Sequence, residues 1–207
     1  MTPGEQRQLA AIRRELSRLV RYDDESVVHE EWIRQRYDGG YAATYQPART
    51  AAVVTAWHEA GHVVAALAVG ARFSSASIRQ GSSGQGRVHA IRGGGQDAFV
   101  IDAAGQIAER LRNWTMLEDD DELRRWLKTW RGDGGDAKHF RAAIGTDELT
   151  AWRRAEQVLI PRRLGIRHVA RALLGHPRHL PYAVASALVQ EAMPLSQARL
   201  AARLGAG

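Results

Sequence analysis

The residues best suited to carry out chemistry are His58, Glu59 and His62, which form the pattern H-E-x-x-H. They lie in residues 50–69, a stretch without proline and with few polar side chains, which predicts one helix. Because positions i and i+4 share a helix face, the two histidines would lie one turn apart and could bind one metal ion. Imidazole nitrogen suits zinc, and two histidines leave room for a third protein ligand and a water molecule.

Glu59 would project beside the same face, where it could take a proton from that water, as in metal-activated hydrolases. The alternative is a half-buried helix that carries two histidines by chance. Two features disfavour it. Unpaired polar groups among the surrounding valines would be costly. Gly61 also costs about 1 kcal/mol relative to alanine in a helix, which makes sense if another group must approach the backbone closely.

Length and composition indicate one domain, or one domain with an appendage, since the chain has 207 residues of which 44% are hydrophobic. No run of about 18 apolar residues is present, so we expect no membrane span. The amino-terminal stretch lacks the apolar core of a signal peptide. With no cysteine, disulfides and thiolate metal ligands are excluded. We therefore expect a cytoplasmic protein.

The formal charge of +6 is carried almost entirely by arginine, because Lys128 and Lys138 are the only lysines. The arginines are spread along the chain and form no block. This pattern favours a bias in genomic base composition over phosphate recognition, and we expect no specific nucleic-acid partner.

The remaining pattern predicts a mainly α fold (α+β) with one small β-hairpin and a C-terminal helical bundle. Thr50 is the expected N-cap of the metal helix and Gly70 its stop. Strands are expected at 71–79 and 87–92. Further helices are expected at 6–21, 97–114, 136–144, 147–174 with a break at Pro161, 181–192 and 196–204, and a short one after the acidic turn 118–122. The first helix could dock on the domain or form a homo-oligomer contact, and docking is favoured.

A zinc site needs a third protein ligand, and the residue types alone leave five candidates. Asp136 opens a predicted helix after a glycine-rich loop, where a carboxylate is exposed. Composition does not choose it over a histidine on the next turn. The candidates are Glu109, Asp133, Asp136, His139 and His89.

Four segments, in order, resemble the peptidase domain of the FtsH family of membrane-anchored AAA+ zinc proteases. They are His58–His62, the run Ala104–Glu109, the pair Gly135-Asp136 that opens a helix, and the apolar pattern from Leu173 to Leu195. The resemblance covers about residues 50 to 204. It implies a helical zincin-like domain at 48–207, preceded by an extension at 1–47.

The resemblance also implies roles for the site residues. His58, His62 and Asp136 would bind zinc, and Glu59 would be the general base. Glu109 would not bind the metal but would contact one of its ligands or pack beside it. The equal alternative is that Glu109 lies on a surface-facing helix end and has no role in the site.

The chain departs from the family at Gln106, where arginine is usual, and at Phe140 and Arg141, where small residues are preferred. It also shows no Walker sequence, so it resembles a stand-alone peptidase domain without its own unfolding motor. The implied substrates are unfolded or flexible protein segments, or one dedicated partner protein. The alternative is a catalytically silent binding or regulatory module of the same fold.

The purified protein is expected to hold about one zinc ion per chain, because two histidines one turn apart are typical of such sites. Metal analysis of the wild type and of His62→Ala checks this. Equal, negligible zinc in both proteins would contradict a metal site.

Overall fold

The computed structural model describes residues 1–19, 47–78, 85–113, 115–130, 135–176 and 179–192. Its helices are α1 (Pro3–Leu19), α2 (Pro47–Ala68), α3 (Ala98–Asn113), α4 (Asp120–Thr129), α5 (Asp136–Ala143), α6 (Glu148–Leu159), α7 (Arg163–Gly175) and α8 (182–192). Single 3-10 turns lie at Gly95–Asp97 and Ile160–Arg162. The strands are β1 (Ser75–Ile78), β2 (Gly86–His89) and β3 (Leu180–Pro181). The prediction of a mainly helical fold with one small sheet is confirmed.

Among these described helices, none combines the length and the apolar character needed to cross a membrane. The predicted helix at 196–204 and the aromatic-rich part of the extension, 20–46, lie outside the described residues.

The helix that carries the H-E-x-x-H pattern begins three residues earlier than expected. Pro47 is its first residue, so the prediction of Thr50 as N-cap is wrong. Proline is well tolerated there, because its missing N–H is one of those that a helix start leaves without an intrahelical partner. The predicted stop is confirmed: the helix ends at Ala68, and Gly70 follows with a φ of 73°.

Helix α2 is the centre of the domain. It contacts α3, α6, α7 and the strands β1 and β2. Its closest neighbour is α3, at Gly61. A Cβ on Gly61 would lie 2.7 Å from the Cβ of Ala108 and would collide with the carbonyl of Ala104. The mid-helix glycine is therefore explained by a direct approach of two helix backbones.

The small sheet is antiparallel, with strand order β2-β1-β3. The predicted hairpin is confirmed, although its strands are shorter than expected and pair Ser75 with His89 and Ile78 with Gly86. The third strand was not predicted, and Pro181 belongs to it and not to the last helix. Two residues are too few to show an alternating pattern, so β3 forms only because the chain after α7 passes beside β1.

Four aromatic residues, Trp126, Trp130, Phe140 and Trp152, pack into one cluster that joins α4, α5 and α6. Phe140 is fully buried and contacts the rings of Trp130 and Trp152. Arg141 donates hydrogen bonds to the carbonyls of Leu127 (2.6 Å) and Trp130 (3.2 Å), at the end of α4. The two departures from the FtsH pattern thus have a packing role, because they dock α5 against α4.

Helix α1 packs against the rest of the domain. Its apolar side chains Leu9, Ile12 and Leu16 belong to the same hydrophobic core as the buried residues of α2 and α3. Gln8 Nε2 donates to the carbonyl of His179, and Arg13 pairs with Glu191 on α8. The predicted boundary between an extension at 1–47 and a domain at 48–207 stays a prediction.

Substituting Gly61 with alanine is expected to destabilise the protein by about 1–3 kcal/mol or more, because the new methyl group overpacks the contact with α3. This loss exceeds the gain of about 1 kcal/mol in helix propensity. Thermal or urea unfolding of Gly61→Ala and the wild type measures the difference in the free energy of unfolding. The matched control is Gly145→Ala, where a Cβ would meet nothing within 4 Å. An unchanged or raised stability of Gly61→Ala would contradict the close approach.

Candidate metal centre

Three side-chain atoms from two helices converge beside the middle of α2. The Nε2 atoms of His58 and His62 are 3.0 Å apart. Asp136 Oδ2, from the first residue of α5, lies 3.1 Å from His58 Nε2 and 3.3 Å from His62 Nε2. Among the described residues, these three are the group of histidine and acidic side chains that could hold a metal ion.

The hydrogen bonds made by the Nδ1 atoms of the two histidine rings determine whether the Nε2 atoms are free to bind a metal ion. His62 Nδ1 lies 2.7 Å from the carbonyl oxygen of Ile101, and His58 Nδ1 lies 2.7 Å from Oε1 of Glu109. Both partners accept, so both Nδ1 atoms donate, and in neutral rings both Nε2 atoms carry lone pairs. Three acceptors therefore face one another, and a cation satisfies all three at once.

The spacing fits a tetrahedral zinc site. Ligands about 2.05 Å from zinc at tetrahedral angles lie roughly 3.3 Å from one another. The observed separations of 3.0, 3.1 and 3.3 Å are close to that value. Two imidazoles and a carboxylate also form a donor set that zinc commonly takes, with the fourth position left for water or substrate.

The electrostatics of the cluster favour positive charge. Burial by itself lowers the pKa of His58, but hydrogen bonds to Asp136 and Glu109 outweigh burial and raise it to about 10. Burial likewise raises the pKa of Asp136, but the hydrogen bonds from His58 and His62 outweigh it and hold that pKa well below its usual range. A cluster that attracts a proton this strongly also attracts a divalent cation.

Helix α3 supports His58 from behind. Glu109 bonds its Nδ1, and Gln106 Nε2 donates to the other oxygen of that carboxylate at 3.1 Å. Gly105 faces the same ring, since a Cβ there would lie 2.7 Å from Cδ2 of His58. The ring is thus held by contacts at its edge and on its flank.

Glu59 is 6% exposed and lies beside the cluster. Burial raises its pKa, while the electrostatic interactions with the His62 and His58 rings oppose the rise. Gly86, the first residue of β2, packs against it, and a Cβ on Gly86 would lie 2.6 Å from Oε1 of Glu59. A raised pKa makes a carboxylate a better proton acceptor, which suits a general base.

The structure shows where all the predicted site residues and ligand candidates lie, except Asp133. His58, His62 and Asp136 come together, with Glu109 on His58 and Glu59 at the side. The other ligand candidates do not join them: His139 is exposed on α5, His89 bonds Ser77 Oγ at 3.0 Å, and Asp133 lies outside the described residues.

Sequence reasoning missed the contributions of four residues to the site. The carbonyl of Ile101 leaves no signal in a sequence, because every residue has one. Gly86 and Gly105 could have been noticed as small residues beside predicted elements, but only the packing shows which side chains they face. Gln106 was read only as a departure from a family pattern.

Comparison with known protein families finds one match, over part of the chain. Residues 41–116, which carry α2, the hairpin and α3, match the family Peptidase M50B-like. This match supports a metallopeptidase domain. It is a different family from FtsH, so the likeness to FtsH in particular is not borne out. Searches of curated proteins and of solved structures found no match.

Replacing Asp136 by alanine is expected to weaken zinc binding by about tenfold or more, because it removes one of three ligands and the neutralising charge. His139→Ala is the matched control on the same helix and should bind zinc like the wild type. Zinc release to a competing chelator measures both. Retention of zinc by Asp136→Ala together with loss in His139→Ala would show that the third ligand is misassigned.

Proposed function

We propose that this protein is a zinc-dependent endopeptidase of the H-E-x-x-H type, with a ligand set like that of the FtsH peptidase domain. The observation that carries the proposal is the convergence of three acceptors from His58, His62 and Asp136, with the buried carboxyl of Glu59 beside them. The match to a peptidase family over α2 and α3 supports it.

Zinc is the proposed metal because two imidazoles and one carboxylate at these separations suit it, and M50 metallopeptidases are generally zinc-dependent. When bound by His58, His62 and Asp136, zinc would supply Lewis acidity, lowering the pKa of water and polarising a scissile carbonyl. The helices α2 and α5 hold the donor atoms at the spacing that this requires.

Glu59 would move the proton. One carboxylate oxygen takes a proton from the attacking water, and the same group then gives it to the nitrogen of the leaving amine. Burial raises the pKa of Glu59, which makes its carboxylate a better acceptor for the proton of the attacking water. We propose that the hydrolysis needs no ATP in itself, because the activated water supplies the nucleophile and Glu59 the proton transfers.

Strand β2 offers a place for the substrate. It lies at an edge of the described sheet, and its first residue, Gly86, touches Glu59. An extended peptide that pairs with such an edge gains backbone hydrogen bonds, and its scissile bond would pass close to Glu59. We therefore propose unfolded or flexible protein segments as substrates, within the cytoplasm, either alone or delivered by a separate partner protein.

Glu59→Gln is expected to keep the fold and the zinc but to lower peptide hydrolysis by about 10²- to 10⁴-fold, because an amide cannot accept the proton. Cleavage of a labelled unfolded protein, with and without a chelator, measures the rate. The control is Glu118→Gln, at an exposed position before α4.

Two results would go against this proposal. Equal rates for Glu59→Gln and the wild type would remove Glu59 as the base. A wild type that binds zinc and cleaves nothing would favour the alternative, a catalytically silent binding or regulatory module.

A further inference from the structure

The carboxylate of Glu109 is bonded at both oxygens. Its Oε1 accepts from His58 Nδ1 at 2.7 Å, and its Oε2 accepts from Gln106 Nε2 at 3.1 Å. Gln106 lies one helical turn before Glu109 on α3, so the two side chains share a face. A continuous chain of hydrogen bonds therefore runs from Gln106 through Glu109 to His58.

The two histidines are oriented in different ways. His62 donates to the carbonyl of Ile101, which the backbone of α3 holds rigidly. His58 donates to a carboxylate at the end of a flexible side chain that remains partly exposed. Such a carboxylate can rotate away unless a second contact holds it, and among the described side chains Gln106 makes that contact. The geometry of His58 therefore depends on a residue that never touches the metal site.

We propose that Gln106 is a positioning residue for His58, and the proposal rests on the zinc site described above. Its amide fixes the rotamer of Glu109 so that Oε1 stays on His58 Nδ1. A charged carboxylate on Nδ1 makes the imidazole a stronger ligand at Nε2, and it fixes the tautomer with Nε2 free.

A neighbouring pocket affects the choice of substitutions that can test the role of Gln106, because water in it could replace the side-chain amide. Gln106 and Glu109 line an open pocket of about 420 Å³ between α3 and α4, together with Arg110, Thr115, Trp126, Thr129 and Trp130. A shortened side chain would let water from this pocket donate to Glu109 Oε2. Gln106→Ala therefore tests the residue poorly, whereas Gln106→Met fills the same space and offers no donor.

The experiment measures zinc dissociation constants of the full chain by competition with a chelator. Gln106→Met is expected to raise the constant about tenfold, the lower end of the effect of losing an outer partner of a metal ligand. Gln106→Ala should raise it less, since water replaces the amide. Gln106→Glu should raise it at least as much as Gln106→Met, because a carboxylate offers no N–H donor to Glu109 and its like charge pushes that side chain away from its present rotamer.

A second readout reports geometry directly. The visible absorption bands of the cobalt-substituted protein should change in intensity or position in Gln106→Met and stay unchanged in the control. The control is Gln157→Met, an exposed glutamine of α6. Melting temperatures check that each variant is folded. If Gln106→Met does not fold, Gln106→Glu replaces it in the comparison with the wild type.

The outcomes separate the two proposals. Equal zinc affinity and equal cobalt spectra for Gln106→Met, Gln106→Glu and the wild type would overturn the role of Gln106, even in an active peptidase. Shifted affinity in a protein that cleaves no peptide would support the role of Gln106 while the proposed hydrolysis fails. A wild type that binds neither metal would overturn both.

Discussion

The close contact of α2 and α3 at Gly61 is the constraint on which the rest of the site depends. Because no side chain separates the two backbones there, the groups of α3 above and below the contact reach the histidines of α2. The carbonyl of Ile101 meets His62 on one side, and Glu109 meets His58 on the other. A wider helix separation would leave both Nδ1 atoms without these partners, and neither ring would be held with Nε2 inward.

The third member of the cluster is held by a different set of forces. Asp136 stands at the start of a short helix, which is docked by the burial of Phe140 in the aromatic cluster and by the hydrogen bonds from Arg141 to the carbonyls at the end of α4. Gly135 precedes it with a φ of 100°, a conformation that glycine adopts without strain. Packing of residues that do not touch the two histidines thus determines where this carboxylate lies.

Charge and burial then set the chemistry. Three carboxyl groups surround two imidazoles in a largely buried space, and this excess of negative charge favours a cation at the centre. The carboxyl of Glu59 differs from that of Asp136 because it gains no ring hydrogen bond, and burial therefore raises its pKa while that of Asp136 is held low. One carboxylate is suited to bind a cation and the other to exchange a proton.

Much of this was predictable from the sequence where the signal is local. The spacing of His58 and His62 determines that they share a helix face, since helical periodicity requires no other part of the chain. Gly61 indicated a close backbone contact before its partner was known. The apolar periodicity of the remaining helices, and the break at Pro161, likewise follow from residues near one another in the chain.

The tertiary structure alone decided the contacts between distant segments. His58 and Asp136 are 78 positions apart, and the residue types left His139 and His89 as equal candidates until packing brought Asp136 to the rings. Strand β3, the carbonyl of Ile101 and the amide of Gln106 carry no local signal either. Each acts through a position in space that depends on how α2, α3 and α5 pack, and such packing is the sum of many weak contacts that no short motif records.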